Sequence, residues 1–413
     1  MAKLKVLVCP AHYLIDDRSH GSEYVWPVGL MRACVEAGDT EFVAISGQIG
    51  SGLTIPGVRT ISLGFELSSR ERVVGTAWFV AQYTKVALQV IRSWRPDVIH
   101  HLLPFRVGAT FNPIILGQRS ATTVIGPVQA SHRVFLGDEV GVSSGNYGTY
   151  AGLRPQKRPL SWQAAEIFAS RLSGWTLKSA TTVLAVNQAG RSEVLQASGV
   201  KADILPFGVD TNRFAPAGRT DAGHRVTIFL VVSYLVARKR VSDVIKAFAI
   251  VVSRRRDVLL RIVGDGPARE ELMALVRSLH LEDVCDFYGR VPHELIAEEY
   301  GRADVVVSAS ASETFGMSLL EAMASGIPVI SAMNDGSIGI IEDGETGFLV
   351  SVGDPNGMAL KMEELRADRD LARRLGKAAR QRVSELFSWD VIATQMQGAY
   401  ASQHLPVARN GRD

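Results

Sequence analysis

The chain has 413 residues, a formal net charge of +3 and 46% hydrophobic residues. This length allows two or three domains, each with its own core, and the near-balanced charge argues against a dedicated nucleic-acid-binding protein. The three cysteines lie far apart and match no disulfide framework or zinc spacing, which favours a reducing compartment. Because we find neither a signal peptide nor a run of 18 apolar residues, we expect a cytoplasmic protein.

The first half of the chain alternates predicted strands and helices. KLKVLVCPAHYL predicts a buried strand, followed by a helix from about 24 to 37 and the strand EFVAIS. A long amphipathic helix is predicted from about 69 to 94, ahead of the strands DVIHHL, TTVIGPV and TTVLAVN. Of His100 and His101, which end one strand, we expect one imidazole to face the core and the other a cleft. The Gly-, Ser- and Pro-rich stretch at 138–159 predicts a mobile surface excursion.

The second half repeats this alternation after the turn-rich stretch LPFGVDTNRFAPAGRTDAG. VTIFLVVSYL, VLLRIVG, CDFYG, DVVVSAS and PVISA read as strands, with a helix from about 268 to 279 among the intervening helices. We therefore predict an α/β protein with two doubly wound domains, at 1–205 and 206–388. Residues 389–413 are expected to form a helix that packs back on the first domain, then a disordered tail. Ligands of such sheets bind at the carboxyl ends of the strands.

The segment Ser312–Val329, SETFGMSLLEAMASGIPV, predicts a strand end, a tight loop and a helix start. Backbone amides at a helix start attract anions, and here they belong to Phe315, Gly316, Met317 and Ser318. The flanking Glu313 and Glu321 cannot coordinate a phosphate, but they can accept strong hydrogen bonds from hydroxyl groups. The pattern favours a nucleotide sugar, with Glu321 on the ribose and Glu313 on the sugar. An acidic helix turn with one solvated carboxylate is the alternative, and the spacing alone does not decide between them.

SASASETFGMSLLEAMASGIPVISA resembles the donor-site signature of glycosyltransferase family 4, which has the GT-B fold. The likeness continues through GDGPAREEL, VCDFYGRVPHELIAEEYGRADVVVSAS, IIEDGETGFLVSVGDPNGMA, LPFGVDTNRFAP and FSWDVIATQM, and so covers most of 205–395. It implies two Rossmann-like domains facing each other across a cleft, and a retaining transferase that uses a nucleoside-diphosphate sugar. We expect a UDP-sugar donor, no cofactor and no protein-held metal. The first domain matches only loosely, as expected of the half that meets varied acceptors.

The resemblance also assigns residues to the diphosphate. Lys239, in VVSYLVARKRVSD, corresponds to the family lysine that grips it, and we expect Lys239 and Glu313 to be catalytic. Tyr234 stands where the family usually has arginine, with Arg238 and Arg240 nearby as candidates to replace it. A solvated turn is the alternative for these arginines. Gly21, in HGSEYVW, resembles the family's glycine loop, although an ordinary turn explains it equally well.

Further positions are assigned to the base and to the reacting sugar. The stretch VGDGPARE, which contains Gly264, resembles the loop that lines the base. Arg290 or His293, in FYGRVPH, is expected to lie against the base. The alternative for each of these side chains is a purely structural turn. The family histidine near the transferred sugar is replaced by GPVQ, so His132, a few residues further on, is our candidate to touch substrate. Gly339 replaces a glutamate that many relatives carry.

The acceptor is less defined: a saccharide, a lipid-linked saccharide or a small molecule. Two segments mix bases with aromatic residues and predict peripheral contact with the inner face of a membrane. They contain Arg70, Arg72, Trp78, Phe79 and Lys85, and Lys157, Arg158, Trp162, Phe168, Arg171 and Trp175. Core packing of the aromatics is the alternative.

Two other classes of protein compete with the transferase. Tyr234 favours a non-catalytic nucleotide-sugar binding protein, since it removes a cation from the expected diphosphate site. A nicotinamide-dependent dehydrogenase would share the sheets but would carry Gly-x-Gly-x-x-Gly after the first strand, and the sequence lacks it there.

Overall fold

The computed structural model describes residues 3–14, 22–50, 53–64, 72–102, 107–108, 110–118, 120–130, 133–136, 139–142, 160–217, 226–254 and 256–401. Their contacts divide the chain into two compact units. The first contains the described residues of Met1–Gln129, Arg158–Pro206 and Ile392–Asp413, and the second those of Ala130–Lys157 and Phe207–Val391. Each unit has its own parallel sheet.

The described strands before Phe207 form one large sheet and one small pair. They are β1 (Leu4–Leu14), β2 (Thr40–Ile49), β3 (Val58–Ser62), β4 (Val98–His101), β5 (Thr122–Val128), β6 (Arg133–Leu136), β7 (Glu139–Val142), β8 (Thr182–Ala185) and β9 (Asp203–Ile204). β6 and β7 pair with each other antiparallel, at the start of the predicted excursion. The other seven strands are parallel, in the order β3-β2-β1-β4-β5-β8-β9. The direction of winding reverses beside β1, which makes the sheet doubly wound.

The helices of the first unit pack on this sheet through apolar faces. They are α1 (Ser22–Glu36), α2 (Arg72–Trp94), α3 (Pro113–Gly117), α4 (Leu160–Ser179) and α5 (Gln188–Ser198). On α2, the buried residues Phe79, Tyr83, Ala87 and Val90 recur every three or four positions and contact the sheet. The predicted helices at 24–37 and 69–94 are confirmed as α1 and α2, with ends shifted by at most three residues. No helix within the described part of the chain is long and apolar enough to cross a membrane.

The second unit contains a six-stranded parallel sheet. Its strands are β10 (Thr227–Val232), β11 (Val258–Val263), β12 (Cys285–Gly289), β13 (Val305–Ser308), β14 (Val329–Ala332) and β15 (Phe348–Val350). The helices are α6 (Val241–Val252), α7 (Arg269–Ser278), α8 (Ile296–Arg302), α9 (Met317–Ala324), α10 (Asp335–Ile340), α11 (Pro355–Ala367) and α12 (Arg369–Leu386). The strand order β12-β11-β10-β13-β14-β15 reverses between β10 and β13, the topological switch point where doubly wound sheets bind ligands. The predicted fold class, two Rossmann-like α/β domains, is confirmed.

The boundary between the two units falls within the last described helix, α13 (Trp389–Ala401), between Val391 and Ile392. The ring of Trp389 lies so close to Gly208 that a Cβ there would come within 2.5 Å of it. Further along, Tyr400 is buried in the first unit, where its hydroxyl lies 2.9 Å from Nδ1 of His100. Residues 402–413, the predicted tail, lie outside the described residues.

Candidate functional site

The predicted catalytic lysine lies at the switch point of the second sheet, in the loop that follows β10. A single 3-10 turn, Ala237–Lys239, leads to Arg240 in the left-handed conformation (φ +48°), after which α6 begins. The carbonyl of Arg238 accepts a hydrogen bond from the amide of Ala311 (2.9 Å), and its guanidinium donates to the carbonyl of Ser312 (2.9 Å). These bonds tie the β10 loop to the loop that follows the neighbouring strand, β13.

Lys239 and Glu313 meet across this junction in a direct ion pair, with the ammonium donating to Oε1 of the carboxylate. Arg238 lies 4.0 Å from the other carboxylate oxygen. All three side chains are largely buried, with exposed fractions between 12% and 17%. Burial lowers the pKa of Lys239; Glu313 opposes this shift, and the charge of Arg238 adds to it. Two cations beside one carboxylate leave a net positive charge that can receive an anion.

Gly316 begins α9 and adopts φ +92°, a conformation that other residues rarely take. The first amides of α9, including those of Met317 and Ser318, have no acceptor within the helix, as at any helix start. Phe315 was expected to contribute its backbone amide, and its side chain is buried against Phe207 and Phe387, with ring centroids 5.2 and 6.1 Å away. It can therefore contribute to a ligand only through its backbone.

The start of α10 packs against the same loop, which the sequence did not predict. A Cβ at Gly336 would lie 2.7 Å from the carbonyl oxygen of Phe315 and 3.0 Å from Cβ of Glu313. Asn334 caps α10, and its amide nitrogen donates to the carbonyl of Ser310 (2.9 Å). An Asn-Asp-Gly-Ser run directly after a strand is a helix-start signal that could have revealed this support.

Glu321 is 8% exposed and lies in the second turn of α9. Its Oε1 is 2.8 Å from Nε2 of His293, and its Oε2 is 3.2 Å from the hydroxyl of Tyr300. We expected Arg290 or His293 against the base and assigned no role to Tyr300, so the sequence missed His293 and Tyr300 as partners of Glu321. No local signal marks them, because they lie 28 and 21 positions away on other elements.

The positions assigned to the base lie at the ends of β11 and β12, the two strands on one side of β10. Gly264 follows β11 with φ +135°, and a Cβ there would come within 1.8 Å of the carbonyl oxygen of Ser233. The amide of Gly264 donates to the carbonyl of Gly289 (2.7 Å), at the end of β12. Arg290 follows directly and is exposed. Gly264 thus has a packing requirement of its own, whatever ligand lies beside it.

Four of the remaining predicted positions either cannot be placed or were assigned an exposure that the structure corrects. Gly21 and His132 lie outside the described residues. His100 and His101 are both fully buried, so the expected exposure of one imidazole to a cleft was wrong. Nε2 of His100 lies 2.7 Å from the carbonyl of Gly126, and burial lowers the pKa of this imidazole to about 4.

Other predictions concern the exposed surface and metal ions. Among the aromatic residues of the two basic segments, Phe79 is buried, whereas Trp78, Phe168 and Trp175 are 44%, 63% and 58% exposed. Tyr234, in place of the family arginine, is 46% exposed. Over the residues that the structure describes, no cluster of His, Cys, Asp and Glu has the size needed to hold a metal ion.

Comparison with known sequences gives a family match that lies within the second unit. Residues 219–382 match the family model described as "Glycosyl transferases group 1". N-acetyl-alpha-D-glucosaminyl L-malate synthase of Bacillus anthracis is 40% identical over 162 residues, which are 39% of this chain and 42% of that protein. D-inositol 3-phosphate glycosyltransferase of Streptomyces avermitilis is 32% identical over 218 residues, 49% of this chain and 47% of that one. The chain thus spans about half the length of these curated relatives.

Comparison with solved structures covers nearly the whole chain. A glycosyltransferase from Rickettsia africae matches 97% of this chain and 98% of its own, with a TM-score of 0.68 and 19% identity. HepE of Anabaena, in complex with UDP, matches 97% of this chain and 100% of its own, with a TM-score of 0.67 and 19% identity. At this identity the likeness establishes the fold, which is the GT-B fold of these glycosyltransferases.

Proposed function

We propose, from the match of residues 219–382 and the geometry at the switch point, that this chain transfers a sugar from a nucleoside-diphosphate sugar to an acceptor hydroxyl. One observation carries the proposal. Lys239 and Glu313 pair where β10 and β13 end, beside the Gly316 turn and the helix that bears Glu321. A cation and free helix amides suit a diphosphate, and the two carboxylates suit hydroxyl groups at either end of it.

The donor we favour is a UDP-sugar. HepE, which shares the fold, has been solved with UDP and with UDP-glucose. In this chain, Glu313 would accept hydrogen bonds from the transferred sugar and Glu321 from the ribose. Gly264 and Arg290, at the ends of β11 and β12, would lie beside the base. No protein-held metal or other cofactor is needed, because Lys239 and the α9 amides supply the positive charge.

The reaction we favour retains the configuration of the transferred sugar. The acceptor hydroxyl would attack the anomeric carbon from the face that the diphosphate leaves, and a phosphate oxygen would take its proton. Lys239 and the amides that begin α9 would stabilise the negative charge developing on the diphosphate. Glu313 would hold the sugar in position. His132 is our candidate for a further substrate contact.

The acceptor we propose is a saccharide, a lipid-linked saccharide or a small polar molecule. Named relatives include an N-acetyl-alpha-D-glucosaminyl L-malate synthase and a D-inositol 3-phosphate glycosyltransferase, as well as a phosphatidylinositol monomannoside mannosyltransferase. These names span small and lipid-linked acceptors, so both classes belong in an acceptor screen.

Contact with an anionic membrane surface forms part of this proposal. α2 contains basic residues but no aspartate or glutamate, and it exposes Trp78 and Lys85. α4 exposes Phe168, Arg171 and Trp175 along one face. Aromatic side chains beside bases suit the interface of an anionic bilayer.

Flotation with phosphatidylglycerol vesicles tests this contact. We expect binding that phosphatidylcholine vesicles do not give and that Trp175→Ala weakens. Leu360→Ala, which removes a hydrophobic side chain of similar exposure (63%) from α11, is the matched control. Equal recovery with both lipids would contradict membrane contact.

The second candidate is a nucleotide-sugar binding protein without turnover, which the exposed Tyr234 favours because it leaves one cation fewer for the diphosphate. Incubation with a panel of nucleotide sugars and acceptors, with detection of released nucleoside diphosphate, separates the two. Release that Glu313→Ala abolishes supports the transferase. Tight donor binding without release, on any acceptor of the panel, supports the binding protein, and absence of both contradicts each proposal.

A further inference from the structure

Glu321 is held by two side chains from outside its own helix. Nε2 of His293 lies 2.8 Å from Oε1, and because a carboxylate only accepts, this nitrogen carries the proton and donates. The Tyr300 hydroxyl lies 3.2 Å from Oε2 and 2.9 Å from the carbonyl of Ser318, so its one proton is shared between two acceptors. Burial, and then the charge of Glu321, raise the pKa of Tyr300 well above its ordinary value, so it remains a donor.

Both donors, His293 and Tyr300, pack against the ring of Phe214. Phe214 is buried and contacts His293 and Tyr300 edge to face, at centroid distances of 5.6 and 5.9 Å. The Arg213 guanidinium lies 5.3 Å from the centroid of the Phe214 ring and donates to the carbonyl of His293. Tyr300 is fully buried and the His293 side chain is only 17% exposed, so packing restrains both donors and orients the carboxylate before any ligand arrives.

The carboxylate nevertheless keeps acceptor capacity. Each oxygen can accept two hydrogen bonds, so beyond the contacts that the described residues make, one acceptor position per oxygen remains. About 10% of the Glu321 side chain is exposed, which leaves an edge that a ligand can reach. Two acceptor positions on one immobile carboxylate match two adjacent hydroxyl groups on one ring.

We propose that His293 and Tyr300 are positioning residues that orient Glu321 to accept both hydrogen bonds of a ribose cis-diol. They thereby set a preference for ribonucleotides over deoxyribonucleotides. The inference rests on the proposed function, which places the ribose at Glu321. Removal of either donor lets the carboxylate rotate, so that it no longer meets both hydroxyls at once.

The test compares the dissociation constants of UDP and 2′-deoxy-UDP by calorimetry, with GDP and 2′-deoxy-GDP in parallel. For the unmodified protein we expect about 10- to 100-fold weaker binding of the deoxynucleotide, because one charge-assisted hydrogen bond is lost. In Tyr300→Phe and His293→Ala the ratio should fall to about threefold, through weaker binding of the ribonucleotide alone. His293→Gln, which keeps an N–H donor, should retain much of the ratio.

Tyr83→Phe is the matched control, since it removes the hydroxyl of another buried tyrosine, in the first unit. Urea unfolding of each variant identifies any loss of binding that comes from loss of structure. Folded Tyr300→Phe and His293→Ala proteins that keep the original ratio would overturn the inference and leave the proposed function intact. Equal affinity of the unmodified protein for both nucleotides would also overturn it. Absence of binding to any nucleotide or nucleotide sugar would instead refute the proposed function.

Discussion

The ion pair between Lys239 and Glu313 predicts opposite effects on diphosphate binding when either partner is changed. Lys239→Met removes the ammonium and keeps an unbranched side chain of similar length. A charge-assisted hydrogen bond contributes about 1.5–3 kcal/mol, so the dissociation constant of UDP should rise by about 10- to 150-fold. Glu313→Gln removes a negative charge beside the phosphates, which is worth about 1 kcal/mol after solvent screening. UDP should therefore bind that variant a few-fold more tightly.

The same variants predict a smaller effect on folding. Removing one partner of a fully buried pair costs about 3–5 kcal/mol. Here the Lys239 and Glu313 side chains are 17% and 15% exposed, and Arg238 remains 4.0 Å from the carboxylate. We therefore expect Lys239→Met to lower the free energy of unfolding by only about 1–2 kcal/mol.

Calorimetric titration with UDP at 0.15 M salt, with urea unfolding in parallel, measures both quantities. Lys246→Met is the matched control, because Lys246 is an exposed lysine on the adjacent helix α6. Unchanged UDP affinity in folded Lys239→Met would refute the assignment of the diphosphate to this ammonium. If Glu313→Gln weakened UDP as much as Lys239→Met does, the pair would act only as a structural unit.

Three further predictions concern stability and reactivity. Gly264→Ala should lower the free energy of unfolding in urea by about 3–5 kcal/mol, because the new Cβ would clash with the Ser233 carbonyl. Gly289→Ala, also at positive φ but with open space around the Cβ, should lower it by only about 1–2 kcal/mol. Equal losses in the two variants would contradict the steric argument. His100 has a pKa of about 4 when folded and 6.5 ordinarily, so the unfolded chain binds a proton that the folded chain does not. The free energy of unfolding should therefore fall by about 3 kcal/mol as pH drops from 6.5 to 4, and a folded His100→Gln variant with the same slope would refute this. All three cysteines are buried and their thiol pKa values are raised, so Ellman's reagent at pH 8 should label the folded protein only slowly and label three thiols after unfolding.

The parts of the fold and site that could be predicted are those that depend on residues close together in the sequence. Alternating apolar strands and helices predict a doubly wound sheet, and the carboxyl end of such a sheet already indicates where the Glu313 loop should lie. Lys239 was assigned through the resemblance to the family. Gly316 was identified from its place in the predicted loop before a helix and Gly264 from the resemblance, and the structure adds that both have a positive φ, which favours glycine.

The parts that could not be predicted depend on contacts between distant positions. The Glu321 carboxylate binds His293 and Tyr300, which belong to other elements, so no spacing rule relates them. One of His100 and His101 was expected to face a cleft, yet both are fully buried, and His100 lies against Tyr400, which is 300 positions away. Burial of this kind depends on tertiary packing and leaves no periodic signal in the sequence.

The hydrogen bonds that tie the β10 loop to the β13 loop have a consequence for how a ligand is received. Because Arg238 bonds to both Ala311 and Ser312, the loop that carries the cation is fixed to the loop that carries the acid. The entropy of ordering these loops is lost during folding, before any donor arrives. Association then requires little reorganisation of this part of the protein, and more of the interaction energy is available for affinity.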